Sequence, residues 1–282
     1  MANAFTHLPH RCAIWLKGPD TLALLERLVT NSVDNWPAAE CRYGALLTPQ
    51  GKVLADYLAV RTAVGVFLDC DRGIVDDFAK RLKLFRLRSD VDITVDKTLN
   101  IAAQKAPQTD IERNGNHLLE YSDPRYPTRR IRVLAEQPVG DDDLQAYNDD
   151  RIHACVPEMG ADFDTANVFP SDINMDVLGG VDLKKGCFVG QEVVSRMHRR
   201  GKVRRRTITL TGDTLVPGMP VGGETAIGEI TSSAGNRALA RVRTDRLAKL
   251  LGANKAIVVG QTPADLTLPD WLQGEFETMD VG

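Results

Sequence analysis

The sequence lacks the short motifs by which most nucleotide-dependent and metal-dependent enzymes are recognised. It contains no G-x-G-x-x-G segment after a strand, no phosphate-binding P-loop and no EF-hand loop. The H-E-x-x-H zinc motif and the G-x-S-x-G nucleophile motif are also absent. These absences exclude the common Rossmann, P-loop, zinc-peptidase and α/β-hydrolase active sites.

Long apolar runs and an excess of one charge are missing as well. No apolar stretch approaches the eighteen or so residues that span a membrane, so no membrane partner is expected. Lys and Arg number 35 against 38 Asp and Glu, giving a net charge of −3, which excludes a globally basic nucleic-acid protein and a long acidic disordered chain. Residues 1–7 show neither a signal peptide nor a transit peptide pattern, which predicts a cytoplasmic protein.

Paired cysteine motifs are absent too. The five cysteines are widely separated and include no C-x-x-C pair; they are Cys12, Cys41, Cys70, Cys155 and Cys187. A disulfide framework and a zinc ribbon are therefore excluded, and most of these thiols are expected to be reduced and buried. Cys187 is the exception, because of the residues around it.

What the sequence does contain is enough apolar material for about two domains. Its 282 residues are 43% hydrophobic. Helical and strand patterns alternate up to about residue 202, whereas from residue 203 short strands with frequent Gly and Pro predict a small barrel or sandwich. We therefore predict an α+β protein with a larger domain at 1–202 and a β domain at 203–282.

Local patterns predict several elements of the larger domain. Strands are expected at 11–16, 43–47, 53–60, 66–70, 91–95, 101–103 and 130–134, and helices after Asp20, over 75–85 and after residues 141–143. Pro49 and Gly51 mark the turn of a hairpin between the second and third of these strands. A side-chain cap from Asp20 is expected at the start of the first helix.

The near-neutral net charge hides a strong local separation. Residues 136–183 contain twelve acidic side chains and one basic one, Arg151, whereas residues 184–206 contain nine basic side chains and one acidic one, Glu192. Such asymmetry is typical of a binding cleft or a partner surface, although a charge run is more often a solvated face.

One segment at this boundary carries chemistry. Residues 184–192 read K-K-G-C-F-V-G-Q-E, which places the Cys187 thiol beside two lysines and before a predicted helix. Both features would stabilise the thiolate. Gly186 and Gly190 allow close approach of a ligand, and Gln191 and Glu192 supply hydrogen-bonding groups. The alternative is a glycine-rich turn with a buried cysteine, which composition alone favours slightly.

Residues 185–192, K-G-C-F-V-G-Q-E, resemble the K-G-C-[YF]-x-G-Q-E signature of the YgfZ family of folate-binding proteins, which are related to the aminomethyltransferase (T-protein) of glycine cleavage. The resemblance extends over nearly the whole chain, including residues 18–20, 30–31, 46–54, 122–125 and 199–203. It implies mixed sheets and helices around a central folate channel, followed by an antiparallel C-terminal β-barrel.

The resemblance also implies a function. Family members support the maturation or repair of iron–sulfur enzymes in a folate-dependent manner, so tetrahydrofolate is the expected cofactor and iron–sulfur client or assembly proteins are the expected partners. The signature cysteine corresponds to Cys187, which we predict to be the reactive residue. The residues expected to contact folate are Lys185, Gly186, Gly190, Gln191, Glu192, Asp56 and Arg200.

A comparison with true aminomethyltransferases supplies an alternative function. Their catalytic aspartate corresponds to Asp56, which could orient or deprotonate a folate nitrogen. The acid that usually precedes it is Ala55 here. A second folate-contacting carboxylate is replaced by His153, although Glu158 lies nearby in the sequence. The alternative is thus a folate-dependent one-carbon (aminomethyl or methyl) transferase.

A third hypothesis uses the basic run of residues 196–206 to bind RNA. No aromatic residues are interleaved with these arginines, so bases would lack stacking partners and nucleic acid is an unlikely ligand. The glutamate tail of a folate is the polyanion that fits this run better, and Arg200 is its predicted contact.

Overall fold

The structure, a computed structural model, describes residues 5–104, 117–199, 203–223 and 225–277. The first elements are β1 Phe5–His7, β2 Arg11–Lys17, α1 Thr21–Leu28, β3 Cys41–Leu47, β4 Val53–Thr62, β5 Gly65–Asp71, α2 Val75–Arg86 and β6 Asp92–Asp96. They are followed by β7 Asn100–Gln104, β8 His117–Ser122, β9 Ile131–Ala135, α3 Leu144–His153, a short 3-10 helix Pro170–Ile173 and α4 Gln191–Arg199. The last elements are β10 Arg205–Thr211, β11 Pro220–Gly222, β12 Ala226–Ala234, β13 Arg237–Arg243, α5 Thr244–Gly252, β14 Ile257–Val259, β15 Thr262–Thr267 and α6 Asp270–Glu277.

The first sheet has two buried faces. Its strands lie in the order β3-β4-β5-β2-β6, and every neighbouring pair is antiparallel. Because side chains alternate along a strand, Ile14 and Leu16 face one way and pack with the apolar sides of α1 and α2. Ala13 and Leu58 face the other way, toward the rest of the chain. The sheet is therefore a central layer, and its inner face is the one that meets the second sheet.

The second sheet supplies the opposite wall. Its strands lie in the order β1-β7-β9-β8. Ile101 and Leu134 belong to the same core as Ala13 and Leu58, whereas Val133, one residue away from Leu134, packs in a separate cluster on the other side. Side chains at alternate positions of β9 thus point between the two sheets.

The C-terminal region forms a closed six-stranded antiparallel barrel. Its strand order is β10-β13-β12-β11-β14-β15, with β10 also pairing with β15. Apolar side chains at alternate positions, such as Ile208 and Leu210 on β10, fill the interior together with Leu247 from α5. The predicted fold class, an α+β body with an antiparallel C-terminal barrel, is confirmed.

A buried carboxylate joins the barrel to the body. Asp162 Oδ1 accepts hydrogen bonds from the hydroxyls of Thr231 and Ser232 on β12, both at 2.6 Å. Its Oδ2 accepts from Arg151 Nη1 of α3 at 2.5 Å and from the backbone N–H of Glu158 at 3.0 Å. All four donors converge on one side chain that is 6% exposed, so Asp162 fixes the position of β12 relative to α3.

Several local predictions agree with the structure and one does not. The hairpin of β3 and β4, the helix over 75–86 and the helix after residue 143 are present. Asp143 caps α3 by accepting from the backbone N–H of Ala146. Asp20, however, makes no side-chain cap to α1; its carboxylate accepts instead from the backbone N–H of Asp90. The cap prediction at Asp20 was wrong because the backbone N–H of Asp90, in the loop between α2 and β6, takes this carboxylate. Across the described ranges, no helix is both long enough and apolar enough to cross a membrane.

We expect Asp162→Ala to lower the free energy of unfolding by about 3–5 kcal/mol, because it removes the carboxylate that bonds the buried Arg151 guanidinium and leaves it only the more distant Glu158, at 3.8 Å. Urea denaturation followed by circular dichroism measures this loss. The matched control is Asp149→Ala, which removes a half-exposed ion pair between α3 and Arg237 of the barrel. The control should cost less than about 1 kcal/mol. Equal losses of unfolding free energy in the two variants would contradict the assignment of Asp162 as the residue that joins the barrel to the body.

Candidate functional site

Cys187 lies in the loop that leads into α4, and its thiol is on the surface. It is the exposed member of the five free cysteines, since Cys12, Cys41, Cys70 and Cys155 are all buried. The helix begins at Gln191, directly after Gly190, as predicted from the sequence. The alternative interpretation of a turn with a buried cysteine is therefore wrong.

Lys185 anchors the start of this loop. Its Nζ donates to the backbone carbonyls of Val29 at 2.8 Å and Asn31 at 3.0 Å, and lies 3.4 Å from a carboxylate oxygen of Glu26. Burial lowers the pKa of Lys185, and the nearby Glu26 carboxylate opposes that effect. The ammonium group is already held by three oxygens, so the expectation that it flanks the thiol is corrected. Lys184, next to it in the sequence, is exposed.

Gln191 and Gly190 close the other end of the loop. Gln191 Nε2 donates to the carbonyls of Lys185 and Gly186, both at 3.2 Å. Gly190 has φ +82°, and a Cβ placed there would lie 2.6 Å from the backbone oxygen of Thr48 in the β3–β4 turn. A larger residue does not fit at this point. Gln191 and Gly190 thus act as structural supports that hold Cys187 outward.

The remaining residues of the predicted set are placed differently. Glu192 is exposed in the first turn of α4. Gly186 is exposed and has no atom within 4 Å of where a Cβ would be. Arg200, the predicted contact of the folate tail, lies outside the described residues.

Asp56 is in a different environment, between the two sheets. It is 1% exposed and lies on the inner face of β4. Its Oδ2 accepts from the Tyr43 hydroxyl at 3.2 Å, whereas Oδ1 is buried without a hydrogen-bond partner among the described residues. Burial raises the pKa of Asp56, and the guanidinium groups of Arg11 and Arg125 oppose the rise. Sequence reasoning found this residue but not the charges around it.

Those charges form an ion-pair network, here called the buried charge cluster. Its members are Arg11, Asp56, Asp69, Asp123, Arg125, Arg132 and Glu158. Arg132 of β9 bonds Asp69 Oδ2 at 3.0 Å and Asp123 Oδ2 at 3.1 Å. Arg125 holds both oxygens of Asp123, at 2.9 and 2.7 Å. Charged residues of the first sheet are thus neutralised by the segment joining β8 and β9 and by β9 itself.

Glu158 belongs to this cluster as well. Its Oε1 accepts from the Tyr147 hydroxyl at 2.9 Å and lies 3.5 Å from Arg11 Nη1, and its Oε2 lies 3.4 Å from His10 Nε2. Burial alone would raise the pKa of Glu158, but His10, Arg11 and Arg151 together hold it well below its ordinary value. The carboxylate that the sequence offered as a substitute therefore does lie in the same cluster as Asp56.

The polar atoms of the cluster are buried among the residues that the structure describes. Asp56 Oδ1 is buried without a hydrogen-bond partner there, and Arg11 Nη1 and His10 Nε2, also buried, have Glu158 as their nearby anion. A neighbouring cavity lined by Asp123, Arg132 and Tyr147 holds only about 10 Å³, room for at most a single water. Small-molecule pockets are usually about 300 Å³ or larger.

A chain of hydrogen bonds connects the buried cluster to the thiol loop. The Tyr43 hydroxyl bonds Asp56, and the Tyr43 carbonyl accepts from Asn31 Nδ2 at 2.8 Å. Asn31 also donates to the Gly179 carbonyl at 2.9 Å, and its own carbonyl accepts from Lys185. Asp56 is buried and Cys187 is exposed, so the two residues are not neighbours. Asn31 nevertheless bonds both Tyr43, which holds Asp56, and Lys185, which holds the loop of Cys187. Residues 30–31 were part of the family resemblance, which was the only signal for this role.

Some residues of the acidic and basic runs are buried inside the protein. In the acidic run, Glu158, Asp162 and Asp172 are buried, whereas the other nine acidic side chains are at least partly exposed. In the basic run, Arg206 is buried and holds both oxygens of Asp176, at 2.6 and 3.0 Å. Residues 200–202 of that run lie outside the described part of the chain. Over the described residues, no group of three or more His, Cys, Asp or Glu side chains is placed to hold a metal ion.

The body of mixed sheets with an appended barrel defines the aminomethyltransferase-like fold. The solved structure of glycine cleavage system aminomethyltransferase T from Bartonella henselae matches 97% of this chain and 87% of its own chain, with a TM-score of 0.70 and 13% identity. At that identity the likeness shows the fold alone. Residues 204–274 match a family described as the CAF17 C-terminal β-barrel domain.

Relatives named as iron–sulfur cluster assembly factors extend the match to the body. The mitochondrial IBA57 homologue of Mycosarcoma maydis is 32% identical over 232 residues, which are 72% of this chain and 56% of the relative. The Neurospora crassa homologue is 29% identical over 77% of this chain and 56% of its own length. Human mitochondrial IBA57 is 27% identical over 96% of this chain and 85% of its own length.

The fold implied by the resemblance of residues 185–192 is thereby confirmed, and the relatives carry the iron–sulfur assembly names that the resemblance led us to expect. The chain is similar to IBA57-type iron–sulfur cluster assembly factors of the CAF17 family, with the aminomethyltransferase fold. It spans just over half the length of the two fungal relatives. The prediction of a cytoplasmic protein is contradicted, because the relatives' names place them in mitochondria.

The buried charge cluster should make stability depend on pH in the acid range. Burial alone would raise the pKa of Asp123, but Arg125 and Arg132 outweigh it and lower the pKa to about 2. A carboxylate with a lowered pKa contributes stability above its ordinary value of about 4, and this is lost as the pH falls toward 2. We expect about 2 kcal/mol of unfolding free energy to be lost over that range because of Asp123.

Urea denaturation at several pH values measures this dependence. In Asp123→Asn the slope between about pH 4 and pH 2 should be smaller than in the wild type, because no carboxylate titrates at that position. Asp213→Asn, at an exposed position of the barrel, is the control and should keep the wild-type slope. An unchanged slope in Asp123→Asn would contradict the assignment.

Proposed function

We propose that this protein is an accessory factor for the maturation or repair of iron–sulfur enzymes and that it acts through the Cys187 thiol. The observation that carries the proposal is the presentation of a single exposed cysteine on a loop held at both ends. Lys185 holds the loop from inside the body, and Gln191 holds it from the first turn of α4. The names of the relatives, which are iron–sulfur cluster assembly factors, support the same class of function.

The support of the loop favours a chemical role for the thiol over a packing role. Buried cysteines such as Cys70 behave as small apolar residues, and burial raises the pKa of Cys70 well above its ordinary value. The Cys187 side chain is not part of the core. Polar contacts nevertheless fix the backbone beside it. A fixed, accessible thiol can meet a partner without first being uncovered.

One thiolate supplies one of the four ligands that an iron–sulfur cluster usually takes. In this proposal the cluster is cargo, and Cys187 provides a single ligand while a client protein or a small thiol provides the others. The protein would therefore act in a transient complex instead of storing a cluster by itself. A second route is thiol–disulfide exchange with a client that already carries a disulfide. The Cys187 thiolate attacks one sulfur of that disulfide, a new S–S bond forms as the old one breaks, and the other client sulfur leaves as a thiolate.

Folate is not used in this proposed mechanism. Tetrahydrofolate was expected from the family resemblance, but a pteridine at Asp56 would have to separate the buried ion pairs of Asp69, Asp123 and Glu158. The transferase alternative needs the same opening, because Asp56 would have to reach a folate nitrogen. The burial of Asp56 therefore supports a structural role for this carboxylate, within the cluster that holds the two sheets together.

Cys187→Ala should abolish function. In a strain lacking its own copy of the protein, this variant is expected to restore iron–sulfur enzyme activity at least about tenfold less well than the wild type, because the only readily accessible thiol is gone. Cys12→Ala is the matched control, since it removes a buried thiol. Full restoration by Cys187→Ala would overturn the proposal.

Alkylation of the folded proteins gives an independent check. Brief treatment with iodoacetamide followed by intact mass measurement should add one group to the wild type and none to Cys187→Ala. More than one rapidly added group on the wild type would contradict the assignment of Cys187 as the accessible thiol.

Tetrahydrofolate titration followed by intrinsic tryptophan fluorescence tests the folate part. We expect no saturable change in the wild type up to about 1 mM, a concentration that corresponds to a binding free energy of only about −4 kcal/mol. Saturable binding that is weakened in Asp56→Asn would show that the buried centre opens and would restore folate as a ligand. Binding that is insensitive to Asp56→Asn would place a folate site elsewhere on the chain and would equally contradict the expected result.

A further inference from the structure

The end of α2 carries a surface that the proposed function does not use. Leu84 and Leu87 are 71% and 85% exposed, the highest values among the large apolar side chains that the structure describes. They are here called, with the side chains around them, the Leu84–Leu87 surface, whose cationic members are Arg27, Lys80, Arg81, Lys83, Arg86 and Arg88. Among the residues that the structure describes, none covers either leucine.

The charge of this surface is one-sided. Residues 78–89 contain five basic side chains and no acidic one. Across the described part of the chain, none of the six cations forms a salt bridge; Arg27 donates to the Ser89 hydroxyl and Arg86 to the Val91 carbonyl. Three carboxylates lie at the edges of this surface. Asp77 is one helical turn before Lys80 and Arg81, Asp90 follows Arg88 by two residues, and Asp20 accepts from the backbone N–H of Asp90. Cations in the last turn stabilise the helix dipole, which accounts for Lys83 and Arg86 but not for leucines among them.

The backbone at Leu87 adds a second observation. It has φ +50° and ψ −108°, a strained conformation that is rare for a bulky side chain. Strain of this kind usually persists because packing requires it, but Leu87 has no packing partner within the described chain. The strained backbone instead directs an apolar side chain into solvent, which is the arrangement expected of a contact residue.

A shallow depression that is widely open to solvent lies beside Leu87, between α1 and the end of α2. It is lined by Asp20, Arg27, Arg86, Leu87, Arg88 and Ser89. Leu87 forms part of its wall, and three arginines lie around it. Such an open depression is accessible to an apolar side chain together with the peptide that carries it.

We propose that the Leu84–Leu87 surface binds an acidic segment of a partner protein that places an apolar side chain against Leu84 and Leu87. The unpaired cations supply charge complementarity to aspartates and glutamates, and the leucines supply the apolar contact. An anionic membrane fits less well, because the apolar face of α2, including Phe78 and Leu82, is buried in the core. A nucleic acid fits less well because the one aromatic side chain of the turn, Phe85, is half-buried and packs with the core beneath α2.

Fluorescence anisotropy of the full-length protein with a labelled acidic peptide, E-D-L-E-E-L-D-E, tests this proposal. We expect saturable binding in 50 mM salt that weakens in 300 mM salt, because the Debye length falls. Arg88→Glu should weaken binding about tenfold, and Leu84→Ser with Leu87→Ser by a similar factor. The peptide E-D-S-E-E-S-D-E should bind about tenfold more weakly to the wild type than the leucine peptide.

Matched controls make the outcomes decisive. Lys249→Glu reverses one exposed charge on α5 and should leave binding unchanged, and Cys187→Ala should bind like the wild type, which separates this surface from the thiol. The substituted side chains are exposed, and circular dichroism confirms that each variant folds. Failure of the leucine peptide to saturate, or equal binding to Arg88→Glu and Lys249→Glu, would overturn the proposal. Tighter binding to phosphatidylserine vesicles or to single-stranded RNA, or self-association lost in Leu84→Ser with Leu87→Ser, would overturn it in favour of that other occupant.

Discussion

The structure depends on the neutralisation of charges that its own strand pattern places between two sheets. Alternation along β2, β4 and β5 directs Arg11, Asp56 and Asp69 to the inner face of the first sheet. An isolated buried charge costs several kcal/mol. Arg11 and Asp69 pair within the first sheet at 2.6 Å, and the second sheet adds further compensating groups. Arg132 on β9 does so by bonding Asp69 and, through Asp123, by joining Arg125 to the same cluster. The relative position of the two sheets is therefore set by ion pairs as well as by apolar contact.

This constraint also determines the surroundings of Asp56, the residue to which the aminomethyltransferase resemblance assigns a contact with folate. A ligand channel needs wall groups with free hydrogen-bonding capacity and space in front of them. In this chain Tyr43, Tyr121 and Tyr147 bond the carboxylates of Asp56, Asp69 and Glu158 across the same region. A fold shared with an aminomethyltransferase thus does not carry its ligand site along automatically, because the site depends on a few inward-facing side chains.

Much of the fold was predictable from periodicity, whereas the arrangement of the charges was not. The β3–β4 hairpin, α2 and the strand-rich tail follow local signals that the chain keeps in the folded state. Asp20 failed as a cap because Asp90, distant in sequence, takes its carboxylate. Arg132 in the apolar segment I-R-V-L-A signals a buried charge, but its partners belong to other strands and to the turn after β8, which no local pattern identifies. Lys185 shows the same limit, since sequence proximity suggested a cation beside the thiol while the fold turns its ammonium toward Val29 and Asn31.

The two glycines that flank Cys187 have different surroundings. The difference separates a glycine that folding requires from one that folding does not require. Gly190 is required by the chain itself, through its positive φ and its contact with the β3–β4 turn. Gly186 has neither constraint: its φ is not in the left-handed region, and the space in front of it is empty. The fold itself would accept a side chain at Gly186. Any selection for glycine at this position must therefore come from another molecule that approaches the loop from outside. The loss of binding affinity caused by a methyl group at Gly186 is then a measure of how closely that molecule comes to the Cys187 sulfur.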